Sequence, residues 1–189
     1  MGVLRLFVAV YPTAEAAREL VRALERLDLP PVATHRATKP DQLHMTVQFI
    51  GDTDERELAE VQESVERSAA GLEPFMLTPA RLVTLPERGP PRLVAGVTDA
   101  PPGLLELQRR LASRLARTPR PKTGDRFLPH MTLCRFTRAA KAPQVDAAIH
   151  AGPFNVERVR LVRSVLRPEG AEHVEVFRVT LGGQAGLDR

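Results

Sequence analysis

Residues 74–83, PFMLTPARLV, return at 153–162 as PFNVERVRLV, with Pro, Phe, Arg, Leu and Val coinciding without a gap. A turn follows each block, Pro86-Glu87-Arg88-Gly89 in one and Pro168-Glu169-Gly170 in the other. Apolar runs come next, Arg92 to Val97 and His173 to Leu181. Proline presets one turn dihedral and glycine supplies the conformations other residues avoid, so the pattern predicts one β-hairpin made twice. A chain built this way is constrained to two similar halves with a groove along the axis that relates them.

A second pair of matching segments lies upstream: HMTVQF from His44 and HMTLCRF from His130. Helical periodicity fills the spaces between. Thr13 is placed to cap a helix over 13–27, with Leu20, Leu24 and Leu27 on one face. Leu58, Val61 and Val65 predict a helix over 54–69, and Leu104, Leu107, Leu111 and Leu115 another over 103–116. A shorter helix is expected at 141–150, and the apolar start, Met1 to Val10, predicts a strand. The sum is an α+β fold: a single domain over 1–189 made of two lobes interleaved in sequence. Two mainly antiparallel sheets, with helices outside, flank a central cleft on a pseudo-two-fold axis.

Side chains alternate faces along a strand. In the first motif His44, Thr46 and Gln48 share one face, and Met45, Val47 and Phe49 the face towards the core. The second motif repeats this with His130 and Thr132 against Met131 and Leu133. Beyond that the alternation fails: Phe136 falls on the histidine face and Arg135 on the core face, and a bulge near Cys134 would return Arg135 to the cleft. Two histidines from opposite halves suit displacement at phosphorus. One can act as base on the attacking oxygen and the other as acid on the departing one, because an ordinary imidazole titrates near neutrality. A threonine two residues on offers a hydroxyl to a non-bridging phosphate oxygen.

Composition narrows the field further. Twenty-seven basic against 23 acidic residues leave a net charge of +4, which leans towards anionic partners such as nucleotides or RNA. The lone Cys134 excludes an internal disulfide framework and a cysteine-rich zinc site, and it fits a reducing cytoplasm. No apolar run is long enough to span a bilayer, so no membrane partner is expected. Neither motif carries a second ligand at metal-binding spacing, and no metal or cofactor is expected. His35, at a loop or strand edge, and His150, ending a helix, read as structural or surface residues. His173 does too, but less so, because its position in the second hairpin could border the cleft. Lys39 and the basic segment Arg117 to Arg126 are soft candidates for gripping RNA phosphates.

With these residues in view, the sequence resembles the two-histidine phosphoesterase superfamily, which is defined by two His-x-Thr-x motifs in a duplicated fold. It resembles the RNA 2′,3′-cyclic phosphodiesterases, or 2′-5′ RNA ligases, in RLFVAVYP, KPDQLHMTVQFIGD, RFLPHMTLCRF and LVRSVLRPEG. The resemblance implies hydrolysis of a terminal 2′,3′-cyclic phosphate to a 2′-phosphate; a monomer is expected. His44 is then the proton donor, His130 the proton acceptor, and Thr46, Thr132 and Arg135 hold the phosphate. It also implies reverse joining to a 5′-hydroxyl as a 2′-5′ linkage. Two departures bear on base stacking. Relatives often carry an aromatic residue before the first motif, where Thr34 to Thr38 supplies none, and a tyrosine near the place of His173. Two other readings stay open from the residues: an enzyme acting on a small cyclic nucleotide phosphate, and a non-catalytic RNA-binding module.

Overall fold

The computed structural model describes residues 2–29, 35–116, 127–136, 143–167 and 170–183. The chain opens with β1 (Val3–Val10) and α1 (Ala14–Glu25), followed by β2 (His35–Ala37) and β3 (Met45–Asp54). Then come α2 (Leu58–Ala69), β4 (Phe75–Leu77), β5 (Pro79–Leu85), β6 (Leu93–Thr98) and α3 (Pro102–Leu115). The remainder is all strand: β7 (His130–Phe136), β8 (Asp146–Ala148), β9 (Phe154–Val156), β10 (Arg158–Arg167) and β11 (Gly170–Thr180).

The three expected helices form for the expected reasons. Thr13 Oγ1 accepts from the Ala16 amide at 3.2 Å, a cap of about 1 kcal/mol. Leu20 and Leu24 on α1, Val61 and Val65 on α2, and Leu104, Leu107, Leu111 and Leu115 on α3 are all buried. Each such side chain contributes about 1.5–3 kcal/mol by leaving water.

Two four-stranded antiparallel halves lie side by side in the orders β11-β10-β1-β3 and β7-β6-β5-β8. They meet where β3 and β7 pair through Met45 opposite Met131, both fully buried. These residues hold the same place in the two motifs. A second meeting of equivalents occurs in the small β4–β9 sheet, where Met76 faces Asn155 from the two repeat blocks. An antiparallel pair of equivalent residues lies on a local two-fold axis, so both pairings mark the pseudo-axis. The fold is the expected α+β arrangement, with the chain crossing between halves: β5 of the first repeat pairs with β6 beside β7, while β10 of the second pairs with β1.

One expectation is corrected. No helix covers 143–150. Val145, Ala147 and Ile149 turn inward while Asp146, Ala148 and His150 are exposed, and this period of two makes β8, an edge strand on β5. Arg81 pairs with Asp146, and Thr84 Oγ1 lies 2.8 Å from Gln144 Oε1, so the β5 edge gains a partner that an isolated helix could not supply. His150 therefore does not end a helix. The two hairpins also differ in position. β6 lies directly beside β7, but β1 already occupies the matching place beside β3, so β11 is left at the sheet edge.

Candidate active site

Continuing the Met45–Met131 register by one residue either way sets His44 across from Thr132 and Thr46 across from His130. The two methionines point into the core, so all four flanking side chains point to the opposite face together. They line one cleft of about 440 Å³ with Thr38, Arg5, Phe7, Phe49, Arg135, Ser164, Leu166, Ala171 and His173. Its described lining contains no carboxylate.

Both histidines are clamped alike. His44 Nδ1 lies 2.7 Å from Gln42 O, and His130 Nδ1 lies 2.8 Å from Leu128 O. A carbonyl only accepts, so each Nδ1 carries the proton and each Nε2 is free to give or take one. Their surroundings differ. His44 packs against Phe7 (ring centroids 5.1 Å), Tyr11 (5.6 Å) and, edge to face, His173 (4.8 Å). This burial, added to by His173, Arg135 and His130 and only partly opposed by the Gln42 carbonyl, lowers the His44 pKa to about 4. Burial, with Arg135 nearby, lowers His173 as well.

Both motif strands bulge at the same point. Across β1–β3 the register skips Val47, and across β6–β7 it skips Leu133. The Leu133 carbonyl accepts from the Thr38 amide at 2.7 Å, so the second bulge leaves that group satisfied. The bulge turns Arg135 out to the cleft, as the expected break near Cys134 would do. In the first strand it overturns the simple alternation. Gln48, expected at the cleft, is 5% exposed in the interior, with Nε2 donating to Phe49 O at 2.8 Å. Phe49, expected in the core, is 49% exposed and lines the cleft.

Among the softer candidates, His173 belongs to the site, placed there by its register opposite Ser164 on β10. His35 packs against Phe136, and Lys39 and His150 are exposed away from the cleft lining. The basic segment 117–126 lies outside the described residues. The motif pattern marks none of Phe7, Arg5 and Thr38. The unbroken apolar run Leu6 to Val10 carries the signal for Phe7, since it leaves β1 buried on both faces, with Phe7 and Ala9 packed beneath the site.

A duplicated α+β fold with paired His-x-Thr strands across one cleft has the architecture of a phosphoesterase. The sequence profile of the 2′-5′ RNA ligase superfamily matches residues 9–167, and the chain belongs to that family. An RNA 2′,3′-cyclic phosphodiesterase of Thermus thermophilus is 30% identical, covering 98% of this chain and 94% of its own length. One from Aquifex aeolicus is 26% identical over 97% of this chain and 100% of its own. A crystal structure from Thermus thermophilus superimposes with a TM-score of 0.81 at 29% identity, covering 95% of this chain and 99% of that one. Escherichia coli LigT complexed with phosphate shares the fold, with a TM-score of 0.73 at 23% identity over 96% of this chain and 99% of that one. Among the described residues, no helix is long and apolar enough to cross a membrane.

Proposed function

We propose that this protein hydrolyses the 2′,3′-cyclic phosphate at the end of an RNA to a 2′-phosphate, using His44 and His130 as an acid–base pair without a metal. The observation that carries this reading is the Met45–Met131 pairing, which puts two imidazoles and two threonine hydroxyls on one face of a cleft lined by arginine. His130 Nε2 takes a proton from water, the water oxygen bonds to phosphorus, and the P–O3′ bond breaks. His44 Nε2 gives its proton to O3′ as that oxygen leaves. Thr46, Thr132 and Arg135 hold the non-bridging oxygens, where charge builds up.

The asymmetry of the cleft supports this polarity. Most of the described lining beyond the motif strands comes from β1, β10 and β11, on the side of His44. A ribose resting there presents its departing oxygen to His44 and leaves the His130 side open to water. In the free protein His44 is neutral at pH 7, but the anionic cyclic phosphate favours its protonated form. A hydrogen-bonded imidazolium with a low intrinsic pKa is a strong donor to an alkoxide. With a 5′-hydroxyl in the place of water, the same steps join two RNA ends through a 2′-5′ linkage. We propose that the protein acts as a cytoplasmic monomer.

The test is turnover, in excess chelator, of an oligoribonucleotide ending in a 2′,3′-cyclic phosphate, with the product identified. A 2′-phosphate is the expected product. Turnover that needs added metal, or a 3′-phosphate product, contradicts the mechanism. Turnover of cyclic mononucleotides alone moves the function to small nucleotides.

A further inference from the structure

We propose that His173 is a further ligand of the phosphate: a neutral imidazole that donates Nε2–H to a non-bridging oxygen and takes no part in proton transfer. This rests on the phosphoesterase reading for the identity of the anion, and it adds a residue that neither His-x-Thr motif contains.

Pairing and packing fix its place in the cleft. His173 lies opposite Ser164 in the β10–β11 register, and its ring meets Phe7 (centroids 5.1 Å) and His44 (4.8 Å) edge to face. That packing leaves Nδ1 buried, with no hydrogen-bond partner among the described residues. Nε2 is then the nitrogen that meets the cleft, which the side chain lines.

The two motif histidines are arranged the other way round. Their Nδ1 protons go to the Gln42 and Leu128 carbonyls, which leaves an Nε2 lone pair able to take a proton. A neutral imidazole carries one proton, and in His173 nothing accepts from Nδ1. The proton therefore sits on Nε2, where water or a ligand can accept it. Charging the ring would put a second N–H on the buried nitrogen. Burial and the nearby Arg135 both oppose that charge and lower the His173 pKa. At pH 7 His173 offers a donor and no charge.

The acceptor it suits is an anion. The described lining holds no carboxylate or side-chain amide oxygen to take the Nε2–H. Arg135, which the mechanism sets on the non-bridging oxygens, disfavours charge on both His44 and His173, so all three look onto one space. A second fixed cation there would make it harder for His44 to hold the proton it must give up. A neutral donor grips the phosphate without that penalty.

Inorganic phosphate is the probe, bound at pH 7 to the parent, His173→Phe, His173→Gln and His173→Asn and followed by calorimetry. Phenylalanine keeps a ring against His44 and removes the donor, so Kd should rise about ten- to a hundredfold. Glutamine sets its amide nitrogen near the place of Nε2 and should recover most of the affinity. Asparagine sets it near Nδ1 and should not. Long-range proton–nitrogen NMR of the parent should show His173 as the Nε2–H tautomer and the two motif histidines as Nδ1–H. An unchanged Kd in His173→Phe, equal affinities of the glutamine and asparagine variants, or an Nδ1–H tautomer at His173 overturns the proposal. Any of these with turnover of the cyclic-phosphate oligomer intact removes the donor and leaves the phosphoesterase. No turnover by the parent, with the expected phosphate affinities, removes the phosphoesterase and leaves the donor.

Discussion

The two motif strands began as the same sequence and ended in different environments. β3 and β7 share the His-Met-Thr pattern, the clamp from Nδ1 to the carbonyl two residues back, and the bulge three residues past the histidine. They differ in what surrounds them. His44 is walled by Phe7, Tyr11 and His173, while His130 makes no ring contact among the described residues, and fewer of the described lining residues come from its side of the cleft. Past the bulge, one strand offers Phe49 and the other Arg135. On the proposed mechanism the repeat supplies two acid–base groups, and the difference in their surroundings gives the pair a direction: substrate against β3, water against β7.

The largest effect expected is from the shared part. His44→Ala and His130→Ala should each lower kcat on the cyclic-phosphate oligomer by about a hundred- to ten-thousandfold. A parent-like rate in either would break the pairing. The divergent positions should cost less and act on binding. Arg135→Ala should raise KM by about ten- to a hundredfold, as loss of a charge-assisted contact to phosphate does. If kcat alone falls, Arg135 acts only in the transition state.

His44 is held at about 4 in the free protein, and an anion in the cleft favours its proton, so inorganic phosphate should bind with proton uptake and more tightly as pH falls towards that value. Calorimetry in buffers of different ionisation enthalpy reads this directly. His173 contributes to the lowering, so His173→Phe, which keeps a ring against His44, should move the acid limb of kcat/KM to higher pH. An unmoved limb would mean that His173 acts on His44 by packing only.

The smallest effect is on stability. A histidine whose folded pKa lies below its unfolded value of about 6.5 binds fewer protons when folded. Its burial therefore costs nothing above pH 6.5 and destabilises progressively as pH falls from there to about 4. The parent should lose Tm over that window more steeply than His44→Gln. Equal slopes would show that His44 titrates normally.

Much of this was legible in the sequence because duplication repeats a pattern, and repetition separates signal from chance. The two histidines, both threonines, the hairpins and three helices follow from spacing and alternation. What escaped was set by neighbours. Phe49 and Gln48 exchange faces at a bulge that no residue in VQF announces, whereas in LCRF the misplaced Arg135 gave the bulge away. Asp146–Ala148 is strand and not helix because β5 has an open edge, a fact of tertiary structure. His173 reaches His44 through pairing of β11 with β10, more than a hundred residues along the chain from the first motif.

The proposed mechanism makes His44 and His130 unequal, one the acid and one the base. A cyclic phosphate with sulfur in place of the 3′ oxygen tests it most directly, because a thiolate leaves without needing a proton. On that substrate His44→Ala should recover most of the parent rate while His130→Ala remains inactive. Recovery of His130→Ala instead would reverse the roles, and recovery of neither would contradict the assignment of an acid.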